Sequence, residues 1–293
     1  MIAMKKITGS LQKGAGVFET EILLLCYLRR CCILKKIIIT LIAMFLMLSA
    51  ALPCFAETSA AGVLPSIKME QQKKEYRTPQ GQVCIVTDYT RLIVENADEF
   101  PALAKKLEQV HNREWSYRMT DEAKEDYKDA VELKMHRPED YMYFLLEERI
   151  WQRYLDRNIL SLYVEYYQSR GGAHPNTDIF TYNFDPVTGN FITMDDALAP
   201  GKRNEFRDKY VKPALERVKK ERQLFYYDNY KTVVDNLFQR DYAGEPPLTW
   251  TWGTEGITMI FPADTLGPAV MGPVEAFIPF KGNEKLFNEK YLK

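Results

Sequence analysis

Two strand-like runs joined by a glycine corner do most to limit what this chain can become. Leu160 to Tyr167 is a continuous apolar and aromatic run, and Ile179 to Asp185 alternates so that Phe180, Tyr182 and Phe184 share one face. Between them lies Ser169-Arg-Gly-Gly-Ala-His-Pro175. Adjacent glycines reach backbone angles closed to other residues, and proline stiffens the exit, so the segment reads as a built corner rather than a slack linker. Asp156-Arg-Asn158 has the chemistry of a tight hairpin between Tyr141 to Leu155 and Ile159 to Tyr167. Together these pieces predict an antiparallel sheet.

The flanking segments supply helices and a second set of strands. Gln82 to Val94 is rich in β-branched residues and predicts one or two strands. Asp98 is placed to cap a helix with Pro101 in its first turn and Phe100, Leu103, Leu107 and Val110 as its apolar stripe. A second helix follows over Thr120 to Met135 and stops at Pro138. Pro186-Val-Thr-Gly189 turns the chain into Phe191 to Thr193, and Asp195 is read as the cap of a short helical turn. A long helix over Lys202 to Gln223 carries Pro213 inside its stripe, which demands a kink or two abutting helices. A helix over Asn229 to Gln239 and strands at Leu248 to Trp252, Gly256 to Phe261 and Val274 to Phe280 complete the order. Strands and helices without regular β-α-β alternation indicate an α+β fold, antiparallel sheets with packed helices in two intimately associated subdomains. The expected organisation is an N-terminal extension and signal peptide (1–56), a tether (57–80), a smaller α+β domain (81–158) and a C-terminal α+β domain (159–293).

The glycine corner, Asn183-Phe-Asp-Pro-Val-Thr-Gly189, Phe191-Ile-Thr-Met-Asp-Asp-Ala-Leu198, and Phe261-Pro-Ala-Asp-Thr-Leu-Gly-Pro-Ala-Val-Met-Gly-Pro273 ahead of Val274 to Phe280 resemble the RsiV-like family, the extracellular domain of lysozyme-sensing anti-sigma proteins. The resemblance covers roughly Leu160 to Phe280. Asp88 to Trp115, with Phe100-Pro-Ala-Leu-Ala-Lys-Lys-Leu107, is more loosely similar to the smaller domain that precedes this one in relatives, including a peptidoglycan deacetylase. The resemblance implies a domain of largely unknown function in the bacterial cell envelope, with lysozyme or a peptidoglycan fragment as partner. The metal-bearing catalytic domain of the deacetylases has no counterpart here.

Arg29, Arg30, Lys35 and Lys36 precede the apolar run Ile37 to Leu52, which ends in Pro53-Cys-Phe-Ala56 and then Glu57. This is the order of a secretory signal peptide, with cleavage expected after Ala56; a run of 16 residues is short for a membrane span of about 20. Lipidation at Cys54 is a weaker alternative, because Pro53 sits where a small residue is expected. Another keeps residues 1–36 inside the cell as an anti-sigma-like segment ahead of an uncleaved span, although they hold no sustained amphipathic helix. Cleavage removes seven of the 39 Lys and Arg and two of the 40 Asp and Glu, leaving 237 residues with a net charge of −6. That balance argues against nucleic acid and weakly suits a cationic partner. The one cysteine left, Cys84, lies in the alternation Val83-Cys84-Ile85-Val86 and reads as a buried small hydrophobe.

Candidate site residues follow from these motifs. Arg170, Gly171, Gly172, Ala173, His174 and Pro175, with the loop Pro262 to Pro273, are the expected binding surface. Trp250 and Trp252 lie two apart on a strand, so both rings share a face that can stack on sugars if it is open, with Tyr226, Tyr227 and Tyr230 nearby; core packing is the alternative. His174 reads first as a hydrogen-bonding residue locking the corner. The chemical alternative is a wall-polymer hydrolase or deacetylase centred on His174 with Asp178 or Asp195. Adjacent Asp195 and Asp196 suit a helix start better than an acid–base pair. The basic run Lys209, Lys212, Arg217, Lys219, Lys220 and Arg222 is read as the wet side of its helix, with docking to anionic polymer as the alternative. No metal-ligand spacing occurs, and no cofactor is expected.

Overall fold

A computed structural model describes residues 62–139, 142–172, 174–239 and 248–292. The expected signal segment with its expected cleavage after Ala56, and Cys54, lie outside the described residues, as does Ala173. Gly62–Lys293 forms one compact unit. No helix among the described residues is long and apolar enough to cross a membrane.

The central wall is a five-stranded sheet in sequential order, β1 (Ile67–Arg77), β2 (Val83–Val94), β3 (Phe144–Leu155), β4 (Leu160–Ser169) and β5 (Asn176–Phe184). All neighbours are antiparallel except β2 and β3, which pair in parallel over Ile85–Asp88 and Phe144–Glu147. A parallel pair needs a crossover, and the helices between them supply it. These are α1 (Pro101–Leu107) and α2 (Arg113–His136), joined by the π turn Glu108–Asn112. The second layer holds α3 (Met194–Ala197), α4 (Arg203–Phe206), the π turn Arg207–Val211, α5 (Lys212–Glu221), α6 (Tyr230–Gln239) and an antiparallel sheet of β6 (Thr249–Trp252), β7 (Gly256–Phe261) and β8 (Val274–Pro279). The α+β architecture expected from the sequence is thus observed.

Each layer has its own core. On one side of the wall Leu92, Leu146, Leu162, Val164, Tyr166 and Phe184 pack against Leu103, Leu107, Trp115 and Met119 of α1 and α2. The other core joins Phe206, Leu215, Val234 and Phe238 to Trp250, Trp252, Ile278 and Phe287. Tyr163 and Ile179, from the opposite face of β4 and β5, meet Ile260 of β7 between them.

Several expectations need correction. Residues 57–80 were expected to be a tether, yet Ile67–Arg77 is the edge strand of the large sheet, paired with β2 throughout. Lys68, Glu70, Lys73, Lys74 and Glu75 hide it from a hydrophobicity reading and at the same time blunt the exposed edge. The boundary expected at 158 cuts the β3–β4 hairpin, whose turn is closed by Asp156 Oδ1 accepting from the N–H of Asn158 and Ile159 at 2.7 and 2.9 Å. Phe100, not Asp98, occupies the N-cap of α1, with no side-chain cap. Thr193 and Asp196, not Asp195, form the capping box of α3, and Asp195 pairs with Arg203 at 2.7 Å.

The break demanded by Pro213 takes the form of the π turn just before it, which spaces the ladder around the missing N–H. Gly189 adopts φ +70°, and a Cβ there would lie 2.6 Å from the Ala102 carbonyl oxygen, so the turn after β5 docks directly on α1.

Candidate binding site

The π turn between α1 and α2 is where the sheet and the helices are fitted together. Beyond Asp88, β2 has no β3 partner, and three side chains take that place. Glu148 Oε2 accepts from the Thr90 N–H at 2.7 Å, and His111 Nε2 donates to the Thr90 carbonyl at 2.8 Å. Asn112 accepts from the Leu92 N–H and donates to its carbonyl, both at 2.8 Å. An extra residue in the helical turn lets consecutive residues, His111 and Asn112, both reach the same strand. His111 Nδ1 and Glu148 Oε1 are buried without a hydrogen-bond partner. Burial drives the Glu148 carboxyl up to about 7 against the pull of the Thr90 bonds. It drives His111 down to about 4 against its bond to the Thr90 carbonyl. Asp88, nearby on β2, is also raised, chiefly by burial. None of these residues was singled out from the sequence, although Glu148 follows Phe144 and Leu146 on the inward face of an alternating strand.

The same turn opens onto a cleft of about 480 Å³ between α2, β5 and the start of β6. Phe180, Tyr182 and Phe191 are half-buried along it and Trp115 closes its floor. Gln109, Glu114, Arg118, Thr181 and Thr249 supply polar groups. The Arg118 guanidinium lies over the Tyr166, Trp115 and Phe180 rings, 4.5, 5.2 and 5.7 Å from their centres, and donates to Glu122 at 2.8 Å. It is therefore fixed by stacking and by charge. Burial works to raise the Glu122 carboxyl, but bonds from the Tyr166 hydroxyl, Arg118 and Arg170 outweigh it and leave it below the ordinary carboxylate range. Burial pushes the Tyr182 hydroxyl up to about 12.

The residues singled out from the sequence do not converge on one site. Arg170 is spent on structure, its Nε donating to Asp126 at 2.6 Å and its Nη2 to Glu122 at 2.9 Å. Of the paired glycines only Gly171 needs its freedom, at φ +74°. Gly171, Gly172, His174 and Pro175 are exposed. His174 makes no hydrogen bond among the described residues, which removes its expected role as the lock of the corner; Arg170 does that work. Nor is it bonded to Asp178, which accepts weakly from Gln168 at 3.3 Å, or to Asp195.

Trp250 and Trp252 are 0% and 1% exposed, so their shared face is core and no sugar platform. Their strand is bound instead to the large sheet: Ser161 Oγ donates to Asn183 Oδ1 and accepts from the Trp252 N–H, Asn183 Nδ2 donates to the Trp250 carbonyl, and Thr181 Oγ1 accepts from the Trp250 N–H. Tyr226 and Tyr230 are buried as well. No group of His, Cys, Asp and Glu among the described residues is arranged to hold a metal ion. Cys84 is buried, and its thiol is held above the ordinary range by burial.

No family model matches the chain, and no curated protein matches it. Solved structures do match, among them two DUF3298 family proteins. A DUF3298 family protein from Bacteroides fragilis has a TM-score of 0.50 at 14% identity, covering 78% of this chain and 96% of that one. A DUF3298 family protein from Pseudomonas aeruginosa has a TM-score of 0.51 at 15% identity, covering 78% and 97%. The likeness is one of fold. At such identity no residue role transfers with it, and the cleft must be judged on its own chemistry.

Proposed function

We propose that the protein is a non-enzymatic component of the bacterial cell envelope, exported by the segment Arg29 to Ala56, that binds wall-derived glycan in the cleft between α2 and β5. The observation that supports this reading is the cleft's composition. Half-buried rings of Phe180, Tyr182 and Phe191 offer apolar faces to sugar C–H groups, while Glu114, Gln109, Arg118 and two threonines line the same space with hydrogen-bonding groups. Its volume falls in the range of small-ligand sites. The resemblance to the RsiV-like family favours the same class of partner.

A second reading, lysozyme as partner, is favoured by a different feature. Between Asp121 and Glu132 the helix α2 carries six carboxylates against two lysines; Glu122 and Asp126 are paired with Arg118 and Arg170, and Asp121, Glu125, Asp129 and Glu132 are left as an acidic surface suited to a cationic protein. Titration calorimetry of the protein with muropeptides and with lysozyme separates the two. Micromolar muropeptide binding, about −8 kcal/mol, that Phe180→Ala and Tyr182→Ala abolish supports the cleft. Lysozyme binding that Asp129→Lys weakens while Tyr182→Ala leaves it unchanged supports the acidic face. Silence toward both ligands rejects both. N-terminal sequencing of protein recovered from the culture medium tests export, since a chain starting at Glu57 is not an intact transmembrane sensor.

A further inference from the structure

Two neighbouring loops of the second layer present large apolar side chains to water. Phe225, between α5 and α6, is 81% exposed, and Val270, between β7 and β8, is 94% exposed. The loops are fastened to each other. The Tyr227 N–H donates to the Leu266 carbonyl at 2.8 Å and the Tyr227 hydroxyl to Asp264 at 2.7 Å. Gly267 packs so closely that a Cβ on it would lie 2.3 Å from the Phe225 carbonyl oxygen. Scattered exposed hydrophobes are ordinary on protein surfaces. Two carried on loops fastened to each other, with Tyr227, Pro268 and Ala269 also exposed on those loops, gather apolar surface in one region.

The charge beside this patch narrows its occupant. From Arg217 to Asp228, Arg217, Lys219, Lys220 and Arg222 stand against Glu221 and Asp228, and with Asp264 of the facing loop counted the region still keeps an excess of positive charge, in a chain whose net charge is −1. Lys220 and Arg222 are exposed, and Lys219 Nζ lies 5.4 and 5.6 Å above the centres of the Tyr226 and Tyr230 rings. A cationic protein is repelled by this collar. A polyanionic polymer satisfies the lysines and leaves the apolar tips in water. An anionic lipid surface uses both, taking Phe225 and Val270 into the acyl boundary, a tyrosine at headgroup level and the basic groups against phosphates. We propose that the Phe225–Val270 tip docks the protein on an anionic lipid bilayer. This is independent of the glycan reading.

The apolar run Ile37 to Leu52 can itself bring the chain to a vesicle, so the test must report on the tip. Phe225→Trp in the full chain is mixed with phosphatidylglycerol vesicles containing acyl-brominated lipid, with the unsubstituted chain as the blank. The introduced indole should shift to the blue and lose roughly half its emission to the bromines. Phosphatidylcholine vesicles should quench it far less. Lys220→Glu with Arg222→Glu should weaken the quenching curve about tenfold, and Val270→Asp similarly. Absence of quenching on phosphatidylglycerol, equal quenching on phosphatidylcholine, or indifference to Val270→Asp each overturns the proposal. So does retention on an anionic wall polymer without quenching by vesicles, which assigns the collar to the polymer.

Discussion

Glu148 Oε1 lies 3.9 Å from His111 Nε2, with both side chains fully buried and both serving the backbone of Thr90. Burial pushes their titrations toward each other from opposite ends, Glu148 from 4.5 up to about 7 and His111 from 6.5 down to about 4. At neutral pH the histidine is held as the Nε2–H tautomer, because that nitrogen must donate to a carbonyl.

The pair makes opposing contributions to stability. Between pH 4.5 and about 7 the unfolded chain has released the Glu148 proton that the folded chain retains, so stability falls as pH rises. Between about 4 and 6.5 the unfolded chain carries a proton on His111 that the folded chain refuses, so stability rises with pH. The two slopes cancel where the windows overlap. Glu148→Gln should therefore gain about 3 kcal/mol relative to the parent on going from about pH 4 to about pH 8. His111→Gln should show the reverse trend, its relative gain appearing toward acid. Urea unfolding across this range reads both difference curves; a flat curve for Glu148→Gln means the carboxylate is already ionised in the folded protein.

The seam between the two sheets is testable at Asn183. Replacing it by Ala strips the buried Ser161 hydroxyl and the Trp250 carbonyl of their partner, a loss of about 2–3 kcal/mol. Chemical denaturation should show the full loss with a single unchanged transition slope. Two separated transitions would mean that the layers fold independently.

The paired glycines of the corner and Gly189 in the turn after β5 make three distinct predictions for alanine. Gly172 has open space around it, and Gly172→Ala should change stability by less than about 0.5 kcal/mol. Gly171 adopts φ +74°, and its substituent meets the flexible end of Leu133, so Gly171→Ala should cost about 1–2 kcal/mol. Gly189→Ala should cost more than either, because the obstruction is the backbone of Ala102. Thermal melts of the three variants establish the order.

Trp252 packs among Phe280, Phe287 and Tyr291, with ring centres 4.5, 6.1 and 5.8 Å away. Trp252→Ala should destabilise the fold by about 3–5 kcal/mol. A variant that melts like the parent while losing affinity for sugars would restore the stacking platform that burial denies.

Local sequence pattern made the second layer's strands legible, because β6, β7 and β8 are short apolar runs between turn residues. It made the break at Pro213 legible as well, since a missing N–H acts wherever the helix goes. The sharing of a face by Trp250 and Trp252 followed from strand geometry, but whether that face met water depended on α5 and α6 arriving from distant sequence. β1 was illegible because an edge strand is held by backbone bonds and advertises only its charges. The cleft escaped notice because its rings are spread over α2, β5 and the turn after it. Glu148 left one readable sign, a carboxylate in the inward register Phe144, Leu146, Glu148, Ile150.

Hydroxyl and amide groups of Ser161, Thr181 and Asn183 hold β6 by its main chain, and this has an evolutionary corollary. A slip of one residue in β6 would turn both tryptophans out of the core and at the same time set main-chain groups facing the other way opposite the Ser161, Thr181 and Asn183 side chains. The tryptophans can thus be exchanged for other bulky apolar residues at the expense of packing alone, whereas insertion of a single residue between Leu248 and Trp252 would unlatch one half of the molecule from the other.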